Sequence, residues 1–116
     1  MTGVAVSLAV RMIEAWLLAD RTAFANFLGV SQRLLPLQPD LETDPKSVMV
    51  ALAGRSRSRV IRADLVPPDE STSRVGKNYT GRLTEFVQSQ WKITRARQSS
   101  PSLDRAIRAL EDFHPA

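Results

Sequence analysis

The stretch Val4–Asp20, VAVSLAVRMIEAWLLAD, constrains this chain more than any other. From Val4 to Val10 every residue except Ser7 is apolar, the composition of a strand buried on both faces. The character changes at Arg11. From Met12 the apolar residues fall at helical spacing, as Ile13, Trp16 and Leu17 and then Phe24, Phe27 and Leu28, with Glu14 set inside the run. The pattern predicts a buried strand feeding a helix, an arrangement by which α/β proteins present an acid at a strand's carboxyl end. Glu14 is therefore the first candidate site residue.

A chain of 116 residues is enough for one domain, and residues 1–116 are read as one. There is no cysteine, so disulfide frameworks and thiolate metal sites are excluded, and a reducing cytoplasm is the expected compartment. Arginine supplies 13 of the 16 basic residues, which suits bidentate contacts to phosphate or carboxylate, although the net charge of +4 also describes an ordinary solvated surface. Arg11, Glu14 and Asp20 interrupt the one apolar run that approaches membrane-span length, so no membrane partner is expected. The first ten residues carry no basic charge and match no secretory signal.

Helix boundaries are legible at several points. Asp20 reads as an N-cap for Arg21–Leu28, with Gly29 as its C′ residue. Asp44-Pro45 and Ser100-Pro101 each place a capping side chain before proline at the first helical position. Leu103, Ile107 and Leu110 form the apolar stripe of the last helix. Val30–Thr43 and the segment from Pro67 to Ser73 read as loops. The fold class this predicts is helix-rich α/β. One buried strand at Val4–Val10, with one or two short edge strands around Val60–Leu65, packs against four or five helices.

A fully apolar strand needs neighbours on both edges, and the chain offers few other strands. Either the strand completes a small irregular core, or the chain is the carboxyl-terminal part of a larger α/β domain; the second is the expectation.

Few motifs carry chemistry. Arg55-Ser56-Arg57-Ser58-Arg59, followed by Arg62, alternates arginine with serine and suits either a phosphate-binding arm or a solvated loop. Gly76-Lys77 is not a phosphate loop, because the upstream glycine and the following hydroxyl residue are missing. Neither a Gly-x-Ser-x-Gly elbow nor a metal-ligand cluster is present, and His114 is a terminal residue given no role.

Ile13-Glu14-Ala15-Trp16-Leu17-Leu18-Ala19-Asp20, Phe24…Phe27-Leu28-Gly29, Asp44-Pro45-Lys46, Tyr79 and Ser100-Pro101-Ser102 stand in an order that resembles a bacterial domain-of-unknown-function family (DUF four-two-seven-six). Its members are often encoded beside AAA-type ATPases in phage-defence islands. The resemblance covers nearly the whole chain, with the Glu14–Asp20 block as its specific part, and looks like the carboxyl-terminal half to two-thirds of a member. The Glu-Gly-x-Thr-Glu-like turn and a further acidic motif of such members are absent. The family is similar to Toprim-like and RloB-like proteins, in which acids at strand ends hold Mg²⁺ for phosphodiester chemistry.

The resemblance implies a partial Toprim-like, nuclease-like domain. Glu14 would be catalytic acid and Mg²⁺ ligand, Asp20 a second ligand, and Arg55, Arg57, Arg59 and Arg62 the contacts to nucleic acid. Two-metal chemistry needs several converging acids, so such a chain is expected to be catalytically incomplete alone. The alternative is a non-catalytic interaction module. It would dock on an AAA-type ATPase or form a homodimer by pairing Val4–Val10 across a two-fold.

Overall fold

The computed structural model describes residues 3–113, and the regular structure in them is helical. Seven α-helices follow in order: α1 Gly3–Ala19, α2 Arg21–Leu28, α3 Pro45–Gly54, α4 Arg59–Leu65, α5 Tyr79–Ser89, α6 Ile93–Ser99 and α7 Pro101–Glu111. Two short 3₁₀ turns, Gln32–Leu34 and Pro39–Leu41, punctuate the crossing from α2 to α3. His114 lies outside the described residues.

The α/β expectation is overturned, because the described residues contain no strand and no sheet. Val4–Val10 is the first half of α1. The physical reason is local. An apolar run this short carries no periodicity that separates strand from helix. The strongly helical Met12–Ala19 supplies a nucleus, after which each added residue gains a backbone hydrogen bond at no further nucleation cost. A lone strand here would leave its backbone groups without partners. Val60–Leu65 is not an edge strand either. Ser58 accepts the amide of Ile61 through Oγ at 3.3 Å and starts α4.

The capping residues act where their chemistry places them. Asp20 accepts from the Ala23 amide at the start of α2, which Gly29 closes with φ 73° in the left-handed region that favours glycine. Asp44 accepts from the Ser47 amide, and Ser100 from that of Leu103. The main core gathers Leu18, Phe24 and Leu28 with Leu52, Leu65, Leu83 and Phe86. Phe86 stands edge-on to Phe24, with ring centroids 5.1 Å apart. A second, smaller cluster joins Ala19 to Ala96 and Leu103 under Trp16 and Trp91. Leu110 leaves the expected stripe of α7 and is 70% exposed.

Both clusters grip only the second half of α1. Residues 3–13 are exposed, whereas Glu14, Ala15, Leu17, Leu18 and Ala19 are buried.

Candidate functional site

Glu14 is the first residue at which α1 enters the protein, and its carboxylate is almost fully buried. Oε2 accepts from the Lys46 ammonium at 2.9 Å and from the Tyr79 hydroxyl at 2.7 Å. These two donors come from α3 and α5. Sequence separations of 32 and 65 residues hide them from any local reading, which offers only Arg11 as a partner. Arg11 instead turns to the Thr43 carbonyl at 3.4 Å. The Lys46 ammonium also lies over the Tyr79 ring, 5.0 Å from its centroid. Burial, and then the hydrogen bond to Glu14, push the Tyr79 hydroxyl pKa far up, so it remains a donor. Glu14 Oε1 has no hydrogen-bond partner among the described residues.

Two clefts meet at Glu14. One, of about 420 Å³, runs along Ser7, Val10 and Arg11 towards Thr43, Asp44 and Arg74. Arg74, followed by the Ser47 hydroxyl, holds the Asp44 carboxyl down to about 2. The other, of about 300 Å³, is an apolar groove between α1 and α5, walled by Val10, Ile13, Leu17, Leu83 and Val87.

Asp20, the second expected ligand, is fully buried and fully engaged. Oδ1 accepts from the Ala23 amide at 3.4 Å and Arg95 Nε at 2.9 Å, while Oδ2 accepts from the Lys92 amide at 2.8 Å and Arg95 Nη2 at 3.0 Å. It ties α2 to the start of α6. Glu14 is held by donors from α3 and α5, whereas Asp20 is held at the start of α6, and the two share no partner. The two carboxylates do not converge.

That geometry decides the fit to Mg²⁺. A hydrated Mg²⁺ wants several oxygen donors free to face it. Here Glu14 is neutralised by an ammonium, Asp20 by a guanidinium, and the described residues hold no group of three or more acids, histidines or cysteines that could close a site. The donor set does not fit the ion, and no chemistry is routed through one.

The arginine run behaves differently. Ser56 is buried, and its hydroxyl accepts from the Ser58 amide at 2.9 Å, while its carbonyl accepts from the Arg62 guanidinium. Ser58 caps α4. The alternation therefore sorts the side chains. The serines build the turn from α3 to α4, and Arg55, Arg57 and Arg59 stand exposed with no carboxylate partner among the described residues. Arg62 is half-buried and belongs to the turn itself.

Sequence reading missed one further tie. Asp40 receives the Ser100 hydroxyl at 2.6 Å and the Ser102 amide at 2.8 Å, anchoring the Pro39–Leu41 turn to the start of α7. None of the described helices is long and apolar enough to cross a membrane. No protein-family model matches the chain, nor does any curated protein or solved structure.

Proposed function

We propose that this chain is a non-catalytic interaction module that docks on another protein chain through the apolar first half of α1. One observation carries the reading. Val4, Val6, Leu8, Val10, Met12 and Ile13 lie on one helix and are all exposed, from 40% at Val10 to 72% at Val4. Scattered surface apolar residues are ordinary; a contiguous set on a single element marks an interaction surface. The second half of α1 is locked into both cores, so the exposed half is presented on a rigid stem. The acids carry no opposing argument, since Glu14 and Asp20 are both explained by ion pairs that hold helices together. An AAA-type ATPase is the partner that the family resemblance implies, and the fold itself carries no feature specific to an ATPase.

The test uses a dye that fluoresces on apolar protein surface. At sub-micromolar protein, the wild type should bind it saturably, and a Val6→Asp, Val10→Asp double variant should lose that signal while keeping its unfolding temperature. Absence of dye binding by the native wild type would remove the reading.

A second reading rests on the arginine turn. Arg55, Arg57 and Arg59, exposed and without acidic partners among the described residues, suit the phosphate backbone of a nucleic acid. Replacing all three with alanine should weaken binding to DNA of any sequence. It should also flatten the salt dependence of the affinity by up to about 0.9 in log–log slope for each phosphate no longer neutralised. Binding that is unchanged in both respects would remove this reading.

A further inference from the structure

The segment between α4 and α5 is pinned at its ends and nearly free between them. Where it leaves and re-enters the body, the Gly76 amide donates to the Leu65 carbonyl at 2.9 Å and the Asn78 amide to the Asp64 carbonyl at 3.1 Å. The approach is close enough to require glycine, because a Cβ on Gly76 would lie 2.4 Å from the Asp64 carbonyl oxygen. Val66 and Val75, just inside this closure, pack against the main core. From Pro68 to Arg74 every residue is exposed. The segment is a strap with a closed base and a span that buries no side chain.

What holds the span is polar and sparse. The Ser71 amide donates to the Pro68 carbonyl, the Ser73 amide to the Ser71 hydroxyl, and the Ser73 hydroxyl to the Val75 carbonyl, all inside the strap or at its edge. Arg74 alone reaches out of it among the described residues. Its Nη2 donates to Asp44 Oδ2 and to the Ser47 hydroxyl, in the first turn of α3. The ion pair is open to solvent on both sides, with 58% of the Arg74 side chain and 45% of that of Asp44 exposed. A pair so exposed shifts an equilibrium by about fivefold at most, and salt screens it.

We infer that residues 67–74 form a strap that the Arg74–Asp44 pair latches onto α3, closed at low ionic strength and released as salt rises. The bonds at Leu65 and Asp64 let the span swing while α4 and α5 stay in place. The latch bears on the cleft at Glu14. Arg74 lines that cleft of about 420 Å³ together with Val6, Ser7 and Val10 of α1, so the closed strap supplies part of its wall and the released strap withdraws it. The inference does not depend on what docks on α1.

Cleavage of the full chain by a glutamate-specific protease after Glu70, the strap's own glutamate, reads the latch. A protease must draw several residues around the cut into its active site, so a latched strap is cut slowly and a released one fast. In low salt, Arg74→Ala should be cut about threefold faster than wild type at this bond. Asp44→Asn keeps an acceptor for the Ser47 amide but no charge, and should fall between the two. At about 0.5 M salt the gap between wild type and Arg74→Ala should close, because screening then reaches inside the distance of an exposed pair. Equal rates for wild type and both variants in low salt, or a gap that persists in high salt, would overturn the inference. So would faster cutting of Arg74→Ala that extends equally to Glu14 and Glu85, which lie in α1 and α5 and report unfolding of the whole body.

Discussion

Glu14 shows how a single side chain can look like chemistry in a sequence and act as structure in a fold. Its carboxylate joins α1 to α3 through Lys46 and to α5 through Tyr79. Hydrogen bonds to ionised acceptors are among the stronger ones, so Tyr79→Phe should lower stability by about 2 kcal/mol in chemical denaturation. The same contact has a pH signature. Tyr79 titrates above its ordinary 10.0 in the folded protein, because burial and the bond to Glu14 disfavour the phenolate. Its contribution is therefore fully present below about pH 10 and is lost as the pH rises beyond it, where the unfolded chain releases the proton and the folded one retains it. The chain has a single tyrosine, so the alkaline slope that separates wild type from Tyr79→Phe reports this residue. Equal slopes would contradict the buried hydroxyl. Metal chemistry is tested at the same side chain. With Lys46 already on Glu14, a Mg²⁺ titration should leave tryptophan emission unchanged in wild type and in Glu14→Ala alike. A saturable response abolished by Glu14→Ala would restore the acid as a ligand.

Among the elements, what could be read from the chain divides by range. Asp20, Asp44-Pro45 and Ser100-Pro101 announce helix starts because capping joins a side chain to an amide three residues away. The Arg95 pair on Asp20 spans 75 residues, and nothing local announces it. Asp20 consequently does more than cap. Asp20→Ala removes the cap of α2 and the anchor of α6 together, and should cost about 2–3 kcal/mol. That is less than the loss of one member of a fully buried pair, because Arg95 is 47% exposed and can be rehydrated. Asp20→Asn keeps an acceptor for the Ala23 amide and should recover part of the loss. A cost below about 0.5 kcal/mol for Asp20→Ala would contradict the link. The misread element is α1. Seven residues from Val4 to Val10 are too few for periodicity to separate helix from buried strand, and their apolar character signals a burial that the fold does not provide. The composition is that of a buried segment, whereas the fold leaves these residues exposed on a helix.

At the scale of the whole molecule, the fold is a helical body whose two apolar clusters hold one end of α1 and leave the other outside. Its charged groups largely serve that body: Arg82 pairs with Asp64, Arg97 with Asp104 and Arg95 with Asp20. The apolar half of α1 and the exposed arginines of the α3–α4 turn serve no comparable role within the body, and the two functional readings rest on these. The docking role proposed for α1 requires that Val4–Val10 be helical. The most direct measurement is the set of ¹³Cα chemical shifts of residues 4–10 in the full chain, referenced to random-coil values. Positive secondary shifts continuous with those of Arg11–Ala19 are the predicted result. Negative shifts, typical of extended backbone, would contradict the account by returning the segment to a strand and removing the exposed helical face through which docking is proposed.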